Sequence, residues 1–174
     1  MKQFKELTKA EKRVEIAKDI IQQVKVKTYK PKHFVYLNVI GGKKLGDNYS
    51  MQNALLNKEV KCDVCALGAA FCSLVKFDNK LNLQEAKNAG FGGYVPDGGV
   101  NARGRLEKYF SERQLALIEN AFEKTDFFTR KRRIFGDECE RARNYFAVNK
   151  CNTPSKLLIS IFQNVVDNKG TFKP

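Results

Sequence analysis

The sequence predicts a mainly α fold, a single-domain helical bundle of about five sizeable helices with a minor β element. One domain spans residues 1–174, with the glycine-rich stretch 90–104 as an insertion. Three observations lead there. Val64, Leu67, Phe71, Leu74 and Val75 recur at the 3-and-4 spacing of a helical stripe, in a run free of charge from Val64 to Val75. Thr8-Lys-Ala-Glu11 and Ser111-Glu-Arg-Gln114 are capping boxes ahead of periodic apolar segments. Only His33 to Ile40 has the aromatic and β-branched density of a strand.

Taken in order, the first helix follows Thr8 to about Lys27 and buries Val14, Ala17, Ile20, Ile21 and Val24. Pro31 breaks it, because proline fixes φ and donates no N–H. After the strand, Gly41-Gly42 and Gly46-Asp47-Asn48 turn the chain, and Ser50 opens a short helix to Leu56. Tyr94-Val95 or Thr171-Phe172 are the segments available to pair with the strand. Asp63 is the expected N-cap of the central helix, which leaves Cys62 outside it and Cys65 in its first turn. A helix apolar nearly all round is buried on more than one side. Gly68, Ala69 and Ala70 allow close approach there, the glycine costing about 1 kcal/mol in propensity.

Asn82-Leu-Gln-Glu85 caps a short helix ending at Gly90. Residues 90–104 hold six glycines and one proline and read as a long loop. Beyond it come a helix from Ser111, the basic connector Arg130-Lys-Arg-Arg133 and a helix from Asp137. Thr153-Pro154 opens the last helix, with proline at its first position, and Gly170 ends it.

Charge is the loudest global property. Thirty-two Lys and Arg face 19 Asp and Glu, a formal +13. An excess of this size repels itself and attracts phosphate-bearing partners. No apolar run reaches the ~20 residues of a membrane span, so no membrane partner is expected. Met1 to Arg13 lacks a secretory apolar segment, and a soluble intracellular protein is the expectation. Five cysteines (62, 65, 72, 139 and 151) then suit buried thiols better than a disulfide framework.

The glycine-rich loop is the leading ligand candidate. Gly92, Gly93, Gly98 and Gly99 permit a concave nest of N–H groups, and Arg103 and Arg105 follow with guanidinium groups suited to phosphate. Tyr94 and Phe91 offer rings for stacking on a base. Arg130, Lys131, Arg132 and Arg133 form a second cationic cluster. The named phosphate motifs fail: Gly90-Phe-Gly92-Gly-Tyr-Val95 lacks the third glycine of a dinucleotide fingerprint, and Gly99 stands where a P-loop needs lysine. Cys62-x-x-Cys65 is one pair where structural zinc wants four ligands, so no metal or other cofactor is expected. The sole histidine, His33, has no evident nucleophile partner, and the expectation is a protein without catalytic residues.

Three blocks carry a resemblance. Lys61-Cys-Asp-Val-Cys-Ala-Leu-Gly-Ala-Ala-Phe71, Phe110 to Phe122, and Asn164 to Phe172 with its Asn-Lys-Gly-Thr-Phe ending resemble small phage- and prophage-borne proteins of unassigned function. Ile16 to Ile21 fits the same pattern; the likeness covers about half the chain and excludes residues 78–105. It implies an accessory protein acting in a host cytoplasm, where such proteins often block host defence. The combined expectation is a non-enzymatic binder of a phosphate-containing ligand that sequesters a nucleotide immune signal. The alternatives are a DNA- or RNA-binding protein and an interaction protein that inhibits an acidic host defence partner; self-association of the chain stays open.

Overall fold

The computed structural model describes residues 3–42, 44–78, 81–92, 94–124 and 129–174, with side chains in the last segment described from residue 136 onward. Among them the chain is mainly helical with a small sheet, as the sequence predicts. Its order is α1 (Lys9–Lys25), β1 (Tyr29–Pro31), β2 (Leu37–Gly41), α2 (Met51–Leu56), β3 (Val60–Val64), α3 (Ala66–Phe77), α4 (Leu83–Lys87), α5 (Ala102–Glu107), α6 (Glu112–Glu123), α7 (Thr129–Val148) and α8 (Pro154–Asp167).

α3 is the axis of the core. Every side chain from Ala66 to Val75 is buried. Each large apolar residue enclosed in this way contributes roughly 1.5–3 kcal/mol. α1, α2, α5 and α6 pack directly on α3, and α8 lies along α1 and against α6. No helix among the described residues is long and apolar enough to cross a membrane.

The segment just before α3 corrects the sequence reading. Val60 to Val64 is a strand, so Asp63 is not a helix cap, and the N-cap position falls to Cys65 without a side-chain cap bond. β3 is the middle of the sheet, parallel to β1 and antiparallel to β2. The partners suggested near Tyr94 and Thr171 are therefore replaced by the chain's own next strand. Val60, Cys62 and Val64 alternate inward with Lys61 outward, a period of two that merges with the apolar run of α3. The expected strand is also shorter than the 33–40 stretch, starting at Leu37.

The other caps fall where the sequence puts them. Thr8 and Glu11 form a reciprocal capping box, Ser111 accepts from the N–H of Gln114, and Thr153 accepts from Lys156 with Pro154 behind it. α5 is an addition. Asn101 accepts the N–H of Gly104 and starts a helix inside the stretch expected to be all loop. α7 is interrupted at Gly136, whose φ of 21° and ψ of −109° are not helical, and the predicted start at Asp137 coincides with its second half.

Candidate functional site

The predicted loop is folded against itself. The Gly90 N–H bonds the Val100 carbonyl at 2.8 Å, and the Ala102 N–H bonds the Gly90 carbonyl at 2.8 Å, pinching the two ends together. A Cβ on Gly99 would stand 2.0 Å from the Asn88 carbonyl oxygen, so close backbone approach alone demands glycine there. Gly98 adopts φ +69° beside Gln84, and nothing lies within 4 Å of a Cβ built on Gly92. Gly93 lies outside the described residues. Tyr94 is 76% exposed. Phe91 is not available to a base: it is buried, stacked on Tyr36 at 4.9 Å and edge-on to Phe71 at 5.7 Å.

The two arginines after the loop diverge. Arg103 turns inward, with Nη1 3.4 Å from Glu119 Oε2 and Nε 3.3 Å from Glu107 Oε1. Arg105 borders a small hollow of about 50 Å³ with Lys108, Tyr109 and Asp78 at the far end of α3. Arg130, Lys131, Arg132 and Arg133 lie outside the described side chains.

Arg103 joins a polar cluster that sequence reasoning missed. Glu119 and Glu123, one turn apart on α6, are both buried. Tyr36 donates its hydroxyl to Glu119 Oε1 at 2.7 Å, and the Phe34 N–H donates to Glu123 Oε2 at 2.8 Å. The Cys65 N–H reaches the Tyr36 carbonyl at 3.3 Å, so residues 32–36 clamp the start of α3. Burial and the neighbouring Glu119 charge outweigh the Phe34 bond and raise the Glu123 carboxyl to about 7. Burial, then Lys124, push His33 below its usual value, so its 3.8 Å approach to Glu123 at neutral pH is a contact of a neutral ring rather than an ion pair. Burial and both carboxylates hold the Cys65 thiol protonated, which rules it out as a ready nucleophile. The sequence carried one usable signal: two acids at i and i+4 within the apolar stripe Leu115, Ile118, Phe122.

Cys62 and Cys72 face each other in the core beside Tyr29, and all five cysteines are buried free thiols. Among the described residues no group of three or more His, Cys, Asp or Glu is arranged to hold a metal ion.

The sheet supplies a cationic surface that the sequence reading did not assemble. Its inner face carries Tyr29, Cys62 and Val64 into the core, and period-two alternation turns Lys30 and Lys61 outward. Lys30 pairs with Asp63 in the β1–β3 register, and Asn38 pairs with Asp63 from β2. Lys32, just past β1, bonds Asp63 Oδ2 at 2.6 Å. Asp63 is only 4% exposed, and its Oδ1 has no hydrogen-bond partner. Lys30, Lys32, Asn38, Ile40 and Lys61 are exposed, and Phe34, in the segment between β1 and β2, is 62% exposed. Such a face presents ammonium groups and an amide on a fixed scaffold.

Set against protein-family models, curated proteins and solved structures, the chain matches none of them.

Proposed function

We propose that the chain is a non-enzymatic, phage-type accessory protein whose open basic surface, centred on the outer face of the sheet, binds a phosphate-containing polyanion. The observation that carries the reading is the placement of Lys30 and Lys61 on that face, flanking the Lys32–Asp63 pair, in a chain of net charge +13. Asp63, Glu119 and Glu123 are the buried charged residues of the described chain, and all are acidic. Asp63 is matched by Lys32, Glu119 by Arg103, and Glu123 is half-neutralised by its raised pKa, so much of the remaining cationic excess faces solvent.

An open face suits a nucleic-acid backbone. The enclosed nucleotide pocket expected around residues 90–105 has given its central guanidinium, Arg103, to Glu119. Blocking a host defence by masking nucleic acid is the biological role this reading gives the chain. Ultraviolet spectra and mass analysis of material that co-purifies at low salt test it. Heterogeneous nucleic acid released by salt is the expected result. A single small nucleotide would favour signal sequestration, and a protein with no ultraviolet-absorbing ligand would favour an acidic partner.

A further inference from the structure

The clamp that joins β1 to β2 rests on the two buried acids of α6, yet none of its residues 32–36 is itself buried. Phe34 gives its N–H to Glu123 Oε2 at 2.8 Å, and Tyr36 gives its hydroxyl to Glu119 Oε1 at 2.7 Å. The His33 ring packs on Phe122 at 4.8 Å, with Nδ1 3.8 Å from Glu123 Oε2. Phe34 holds φ +62°, a left-handed conformation that a bulky residue keeps only where its surroundings impose it. The bond to Glu123 is made at this strained residue.

The two acids are compensated unequally. Glu119 is met by Arg103 Nη1 from α5 at 3.4 Å and by the Tyr36 hydroxyl. Glu123 faces Glu119 on its own helix, the Phe34 N–H and the neutral His33 ring of the clamp, and the Cys65 thiol at the start of α3. Lys124, next along α6, acts on His33 and lies over the Phe146 ring of α7 at 4.0 Å. Glu123 therefore keeps its proton to about pH 7 while the clamp is closed. In an opened clamp, water reaches the carboxyl and the proton leaves near the ordinary 4.5. The closed form is thus fully favoured below that ordinary value and loses its advantage as pH rises through about 7.

We propose that residues 32–36 are a proton-controlled latch on the Glu119–Glu123 pair, closed while Glu123 keeps its proton and loosened once both carboxylates are charged. The clamp yields and α6 does not, because every side chain from Gln114 to Glu123 is buried and α6 packs on α3, α7 and α8. Loosening releases the Tyr36 carbonyl from the Cys65 N–H at the start of α3, and Lys32, beside Asp63, stands at its near end. The latch belongs to the fold and is independent of what the outer face of the sheet binds.

Amide exchange of the full chain from about pH 5.5 to about pH 8, corrected for the intrinsic pH dependence of exchange, tests the latch at the Phe34 and Cys65 N–H groups. Their protection should fall by about ten-fold or more and end well below that of Ile20 and Ile21 in the core of α1. Glu123→Gln keeps an acceptor for Phe34, cannot ionise, and should remove the fall. Protection that stays level in the wild-type chain, or falls as far in the variant, overturns the proposal. So does a fall shared equally by Ile20 and Ile21, since unfolding of the whole chain then answers the proton. If circular dichroism shows the variant unfolded, the wild-type comparison of clamp and α1 amides decides alone.

Discussion

Glu123 shows how one buried group sets a pH response. Its pKa rises from the ordinary 4.5 to about 7, so the folded state holds a proton that the unfolded chain has released. Its favourable contribution is therefore complete below the unfolded pKa and is lost as pH rises through about 7, ionisation costing roughly 3 kcal/mol in full. The groups facing it are Glu119 on its own helix, His33 and the Phe34 N–H from the segment after β1, and Cys65 at the start of α3. Glu123→Gln keeps an acceptor for Phe34 and removes the ionisation. Denaturant unfolding should show the variant gaining on wild type between about pH 5 and about pH 8. His33, with its lowered pKa, contributes in the opposite sense, but it is present in both chains and cancels in the comparison. Arg103 offers a second check at this scale. Arg103→Met strands the buried Glu119 carboxylate with Tyr36 alone, so stability should fall by roughly 3 kcal/mol while oligonucleotide affinity, measured on the folded fraction, stays unchanged. Loss of affinity with stability intact would return Arg103 to the ligand site.

At the scale of elements, the join between β3 and α3 governs the fold. A Cβ on Gly68 would lie 1.6 Å from the Tyr36 carbonyl oxygen, a backbone atom that is itself held by the Cys65 N–H. Gly68→Ala therefore displaces the clamp from residues 32–36, and we expect a loss of roughly 3 kcal/mol or more in thermal or denaturant unfolding. An unchanged midpoint would show that the clamp is not rigid. Ser111→Ala, by contrast, removes only the bond to the Gln114 N–H, and should cost about 1 kcal/mol. This contrast marks what the sequence made legible. Caps and 3.6-residue stripes are local, so α1, α6 and α8 could be placed to within a few residues. Of the sheet only β2 could, because β1 is three residues long and β3 runs straight into an apolar helix. Strand partners are long-range choices that no local pattern encodes. The site followed the same rule. Composition singled out Gly98 and Tyr94 as candidates, but the pairing of Arg103 with Glu119 and the grouping of Lys30, Lys32 and Lys61 depend on register and packing.

For the molecule as a whole, the account rests on where the excess charge faces. On the proposed reading, Lys30 and Lys61 on the outer sheet form an open cationic platform, and affinity for a phosphate backbone, driven by counterion release, falls steeply with salt. Lys30→Glu with Lys61→Glu leaves the Lys32–Asp63 pair in place and should weaken binding at least about ten-fold, lowering the salt slope by about 1.4 for a single strand. The most direct measurement is fluorescence anisotropy of a labelled single-stranded oligonucleotide titrated with the wild-type chain and this double variant across a salt series. The account predicts tight binding at low salt, a steep linear decline of log affinity with log salt, and a shallower, weaker line for the variant. Absence of binding at low salt, or identical lines for the two proteins, would contradict it.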